Sequence, residues 1–148
     1  MGLEVRLQEA AAAEVNVLVD TSVWSLALRR PTSGGNPETA ELVELVREGR
    51  VEMIGAIRQE ILSGIRAAQQ FRKLRDRLRA FPDVALHESD YEEAAACFNR
   101  CRAKGLQGSN TDFLMCAVSL RHDLAILTTD KDFAGFARVL GFELHAPR

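Results

Sequence analysis

The chain has 148 residues, a length that fits one domain able to bury about 70% of its unfolded-chain surface without a disulfide or metal staple. Its apolar fraction of 47% and charged fraction of 27% are ordinary for a globular protein, and no apolar stretch approaches the ~20 residues of a membrane span. The net charge of -2 does not by itself mark a nucleic-acid binder, although an average hides acids gathered in one place.

Residues 1–14, MGLEVRLQEAAAAE, carry acids and lack a long apolar core, so they make a poor signal peptide. The expectation is an N-terminal extension over 1–14, a single domain over 15–148, and a cytoplasmic location. Cys97, Cys101 and Cys116 are odd in number, and the i, i+4 spacing of the first two suits a helix face. Free core thiols are expected. His87, His122 and His145 do not pair with them at zinc-binding spacings.

In chain order, NVLV (16–19) is a short buried strand, and Ser22 is placed to cap a helix over VWSLALRR. PTSGGNP (31–37) is loop, with Asn36 as N-cap and Pro37 at the first helical position. ETAELVELVREG follows as a helix stopped by Gly49, with Leu42, Leu45 and Val46 on one face. VEMI (51–54) is a second strand, and IRQEILSGI (57–65) a short helix. RAAQQFRKLRDRLRAF (66–81) is a helix with an apolar stripe of Phe71, Leu74, Leu78 and Phe81, ended by Pro82. VALH (84–87) is a third strand. Ser89 and Glu92 form a capping-box pattern opening a helix that Gly105 stops. TDFLMCAVSLRH (111–122) is another helix and LAIL (124–127) a fourth strand. KDFAGFARVL gives a last short helix and FELH (142–145) a fifth strand. Short, continuous apolar strands alternating with helices indicate an α/β fold: three layers, α/β/α, around a parallel sheet of four to five strands.

Sites in such sheets lie beyond the carboxyl ends of the strands. Asp20 ends the first strand. Glu60 lies about a turn into the helix after the second. Asp112 opens the helix before the fourth, and Asp130 and Asp132 follow that strand. Each acid alone is commonly a helix cap or a partner of the helix dipole. Gathered without bases, such acids repel one another and are stable only when protonated or bound to cations. Oxygen-only donors favour Mg²⁺ or Mn²⁺. No GxGxxG or GxxxxGK[ST] cradle and no GxSxG elbow is present. The second acid that an aspartyl-phosphate phosphatase would carry two residues after Asp20 is instead Ser22.

VLVDTSVW, RQEILSGI, GSNTDFLMCAVSL and AILTTDKDF, in this order and spacing, resemble a PIN-domain ribonuclease, and the small single-domain format is similar to the VapC toxins of toxin–antitoxin pairs. The resemblance covers roughly residues 15 to 146. It departs from the usual pattern in the fourteen residues ahead of the first strand and in a less alanine-rich helix after the third acid.

The resemblance implies a Mg²⁺- or Mn²⁺-dependent endoribonuclease that hydrolyses RNA phosphodiester bonds with one or two ions. Asp20, Glu60, Asp112 and Asp130 match the family's acidic quartet, and Asp132 an additional acid near the metal. Ser22, Asn110 and Thr128 match positions that steady the site or contact a phosphate. A homodimer and a VapB-type antitoxin partner, whose tail lies along an apolar groove, are implied as well. Alternatives are a catalytically silent PIN-like binding module and a PIN nuclease of RNA processing.

Without the five acids, 16 acids of the original 21 face 19 bases, a balance compatible with a polyanionic substrate. Arg72, Arg75 and Arg79 form a stripe at helical spacing, either a solvated face or a contact for RNA phosphates or an acidic partner.

Overall fold

Three strands and seven helices make up the computed structural model, which describes residues 2, 15–29 and 35–148. The expected extension therefore lies outside the described residues, Gly2 apart, as does loop segment 31–34. In chain order the elements are β1 (Val17–Val19), α1 (Thr21–Arg29), α2 (Pro37–Arg47), β2 (Val51–Glu52), α3 (Gly55–Leu62) and α4 (Ala68–Leu78). Next come α5 (Glu88–Ala103), α6 (Asn110–His122), β3 (Ala125–Leu127) and α7 (Asp132–Leu140).

The sheet is parallel throughout, in the order β2-β1-β3. Val17 pairs with Val51 on one side and Ala125 on the other; Leu18 pairs with Glu52 and Ile126. Val17, Leu18 and Val19 expose nothing to solvent, as a strand covered on both faces requires. Two of the expected strands shrink to single bridges. In place of the strand at 84–87 there is only the pairing of Asp83, one residue earlier, with Met53, supported by Val84 N–H donating to Met53 O at 2.8 Å. Residues 142–145 contribute the pairing of Leu144 with Ile126, flanked by bonds of 3.0 Å and 2.8 Å. Both are edge segments, supported from one side only. Pro82, which has no N–H to donate, immediately precedes the first.

The helix boundaries follow local chemistry with two corrections. Asn36 caps α2 as expected: its side-chain oxygen accepts from Glu38 N–H at 2.9 Å and Thr39 N–H at 3.1 Å, with Pro37 at the first position. Gly49 and Gly105 take φ of 68° and 78° just past α2 and α5, a conformation that favours glycine. Ser22, however, does not cap α1. The helix begins at Thr21, and its first bond runs from Val23 N–H to Asp20 O at 3.0 Å. The capping box of α5 is also displaced, from Ser89 and Glu92 to His87 and Asp90: Asp90 Oδ2 accepts from His87 N–H at 2.8 Å. Asp90 is selected because it is buried against α6, where Arg121 Nε donates to it at 2.9 Å and His122 Nε2 lies at 3.0 Å.

The core centres on α6, in which every residue from Phe113 to Ser119 is buried. Phe113 packs on Phe98 and Phe136, with ring centroids 5.3 Å and 4.9 Å apart. The three cysteines are free and buried, and burial pushes the Cys97 thiol up to about 11. The last residues are pinned to α2 by Glu41. Its buried carboxylate meets His145 Nε2 at 2.5 Å and accepts from Arg148 Nε at 3.0 Å. Burial raises this carboxyl, but those partners outweigh it and hold it below the usual range. Among the described residues no helix is long and apolar enough to cross a membrane.

Candidate active site

The chain leaves β1 for β2 and the Asp83 bridge on one side, then returns through α5 and α6 to β3 on the other side of β1. The switch of direction falls between β1 and β3, and sheets of this kind form their crevice outside the carboxyl ends of the strands at that point. Asp20 sits at the end of β1, its N–H bonded to Leu127 O at 2.9 Å, and is buried.

Two hydroxyls fix its side chain. Ser22 Oγ donates to Asp20 Oδ2 at 2.8 Å, and Thr128 Oγ1, just past β3, donates to the same oxygen at 2.7 Å. Thr128 also accepts from Asp130 N–H at 2.9 Å, and Ser22 from Thr129 N–H at 3.2 Å. One network thus joins Asp20, Ser22, Thr128 and the backbone of Asp130. The two hydroxyls that the resemblance puts beside the acids, Ser22 and Thr128, bridge the two strand ends. Asp130 Oδ1 in turn accepts from Asp132 N–H at 2.9 Å.

Glu60 joins through a residue that the sequence did not single out. Thr21 Oγ1 donates to Glu60 Oε1 at 2.7 Å, tying the first turn of α1 to α3. Asp112 is held by a capping box: Ser109 N–H donates to its Oδ2 at 2.9 Å, and Ser109 Oγ accepts its N–H at 3.1 Å. Burial pushes the Asp112 carboxyl up, the Ser109 bonds oppose this, and the charges of Asp20 and Asp130 push it further up. Those charges place the three acids in one field.

Asn110 stands apart. It is exposed and lines a hollow of about 420 Å³ between α5 and α6, with Tyr91, Phe98 and Leu114, rather than the acidic crevice. The basic stripe is also altered. Arg75 and Arg79 both reach Asp76, at 3.0 Å and 3.6 Å, while Arg72 is exposed without an ion-pair partner among the described residues.

Gly108, the first residue of the GSNTDFLMCAVSL motif, also shapes the site. A Cβ there would lie 2.8 Å from Phe136, 3.1 Å from Phe113 and 3.2 Å from Asp112 Oδ2. Two core rings and a carboxylate leave no room. Gly108→Ala should therefore cost about 1–3 kcal/mol, the usual cost of overpacking, read as a lowered denaturant midpoint.

The donor set suits a hard divalent cation in kind and charge. It is oxygen-only, and among the described residues no base pairs with Asp20, Glu60, Asp112 or Asp130. Each carboxylate is anchored through one oxygen, with Oδ1 of Asp20 and Asp112, Oδ2 of Asp130 and Oε2 of Glu60 lacking a described partner. Among the described residues, however, no three His, Cys, Asp or Glu side chains are grouped to hold an ion as they stand. The carboxylates are turned to their own hydroxyls and amides.

The PIN domain model matches residues 17–139. The chain is 28% identical over 131 residues to VapC ribonuclease Mb1587 of Mycobacterium bovis, covering 86% of this chain and 96% of that one. Its fold is similar to that in the crystal structure of VapBC2 from Rickettsia felis bound to a DNA fragment from their promoter. The TM-score is 0.70 at 16% identity, over 87% of this chain and 96% of that one. A toxin–antitoxin complex from Klebsiella pneumoniae matches with a TM-score of 0.59 at 20% identity, over 81% and 92%. With the parallel sheet, the switch-point crevice and the acids around it all inside the matched span, the chain belongs to the PIN domain family.

Proposed function

We propose that this chain is an endoribonuclease that hydrolyses RNA phosphodiester bonds as the toxin of a type II toxin–antitoxin pair. One observation carries the reading: the Ser22 and Thr128 hydroxyls tie Asp20 to the backbone of Asp130 at the carboxyl ends of β1 and β3, Asp112 lies near enough to feel both charges, and among the described residues no base is paired with any of the three. Unpaired acids that repel one another oppose folding, which suits a function that uses their charge. The matched ribonuclease from M. bovis supports the chemistry.

Asp20, Asp112 and Asp130 would hold one or two Mg²⁺ or Mn²⁺ ions, with Glu60 and Asp132 beside them. Bound there, such an ion supplies Lewis acidity toward a phosphodiester oxygen and lowers the pKa of water. The protein supplies placement. Ser22 and Thr128 orient Asp20, and Thr21 orients Glu60. The Ser109 cap keeps Asp112 at the mouth of α6.

The K. pneumoniae and R. felis assemblies support a partner protein. Leu26 and Leu28 on α1 and Val43 and Val46 on α2 are exposed and give such an antitoxin an apolar strip. A homodimer belongs to the same reading.

The test is incubation of the purified chain with structured RNAs in Mn²⁺, in Mg²⁺ and in EDTA. Cleavage should appear with either ion and vanish in EDTA, and the product of the adjacent gene should suppress it. Cleavage that persists in EDTA sinks the mechanism. A chain that binds RNA but never cuts it would instead be a silent binding module.

A further inference from the structure

Beside the acidic crevice runs a groove of about 840 Å³ between α1, α3 and α4. Glu60 belongs to its wall, so groove and crevice are continuous. Leu28, Ile61, Ile65 and Leu74 supply apolar surface, and Ser25, Ser63 and Gln70 supply polar edges. Lys73 and Arg77 also line it, one helical turn apart on α4.

The charge in this groove is not what the count of bases suggests. Asp76, the acid of α4, also lines the groove, but Arg75 and Arg79 compensate it at 3.0 Å and 3.6 Å. Lys73 and Arg77 are exposed and have no carboxylate partner among the described residues. The wall therefore carries three cations, Lys73, Arg77 and Arg29 at the end of α1, against Glu60 and a compensated Asp76. In the groove the uncompensated positive charge thus falls on Lys73, Arg77 and Arg29, whereas of the Arg72, Arg75 and Arg79 stripe only Arg72 is left unpaired among the described residues.

We propose that this groove is the substrate subsite next to the cleavage centre, taking the unpaired RNA strand that continues past Glu60. Lys73 and Arg77 contact two neighbouring phosphates. Side chains one turn apart are about 5–6 Å apart at Cβ, which successive phosphates of an extended strand can match. The aliphatic floor packs against a base face, and Gln70 and Ser25 meet base edges. An unpaired strand offers those faces and edges, whereas a duplex hides them. The proposal rests on the ribonuclease reading for the identity of the ligand, and on the groove's own charge and shape for the place.

The experiment measures binding without turnover. The full chain carrying Asp112→Asn is titrated in EDTA against a short fluorescent single-stranded RNA over a series of salt concentrations. Two charge-matched double variants are compared, Lys73→Gln with Arg77→Gln and, outside the groove, Arg72→Gln with Lys104→Gln. The first should weaken binding about tenfold or more and flatten the salt slope by about 1.4, two phosphates at about 0.7 each for a single strand. The second should change affinity by less than about threefold. Equal losses from both pairs would mean that only net charge matters and would overturn the subsite. So would unchanged binding by the Lys73/Arg77 pair, or no binding by the parent; a groove that then binds the partner protein instead belongs to it.

The two readings fail separately. A wild-type chain that binds through Lys73 and Arg77 but never cuts RNA removes the nuclease and keeps the groove. A chain that cuts RNA with its Lys73/Arg77 variant binding normally does the reverse.

Discussion

Asp20→Asn should fold as the parent does and cleave RNA about a hundredfold more slowly or worse. Asparagine keeps the volume and an oxygen that can accept from Ser22 and Thr128, so the network between the strand ends can persist. What it removes is the negative charge at the end of β1, where the chain is buried and cannot rearrange. Loss of a residue that merely orients a metal ligand typically costs 10–100-fold, so loss of the ligand itself should exceed that range. Thr128→Val gives the companion result. It removes the donor to Asp20 and the acceptor for Asp130 N–H while leaving all the carboxylates, and should fall about 10–100-fold. Cleavage rate and thermal midpoint are measured together. An Asp20→Asn chain that is folded and cuts within about threefold of the parent would remove Asp20 from the chemistry.

Much of this site is readable from local pattern because the parallel sheet ties position in the chain to position in space. An apolar run of three ending in Asp20, and another ending near Thr128 and Asp130, put those residues at one edge as soon as the strands are taken as parallel. What escaped depends on contacts between distant segments. Thr21 meets Glu60 across 39 positions, and no local pattern records it. Ser109 could have been found, since Ser109 and Asp112 carry the capping-box spacing.

The same spacing logic misplaced the start of α5, because Asp90 is fixed by Arg121 and His122 more than thirty positions away. Helical periodicity correctly aligned Arg72, Arg75 and Arg79, but charge availability follows from pairing: Asp76 occupies two of the three. The outer strands are weak in the structure for a physical reason. Their apolar residues have only one neighbour to pair with, so the pattern overstates how far the ladder runs.

Asp112→Asn should raise the melting temperature of the metal-free chain at neutral pH, although it removes a residue assigned to the site. The Asp112 carboxyl is pushed up by burial and by the charges of Asp20 and Asp130, so the folded state holds its proton to higher pH than the unfolded state does. The folded state therefore binds more protons between the unfolded value of about 3.9 and the raised folded value, and stability falls as pH rises through that window. Above it the ionised carboxylate carries its full penalty. Asparagine carries none, and can still accept from Ser109 N–H to keep the cap. The gain should be at most a few degrees, because a half-exposed carboxylate is screened by solvent, and it should vanish below pH 4. Mn²⁺ should reverse the order. A cation that neutralises the acids raises the parent's midpoint by mass action and raises the variant's much less. Melting curves at several pH values, with EDTA and with Mn²⁺, read all of this without any RNA. A variant no more stable than the parent in EDTA would mean that Asp112 does not share a field with Asp20 and Asp130. A parent unmoved by Mn²⁺ would mean that the crevice does not hold the ion.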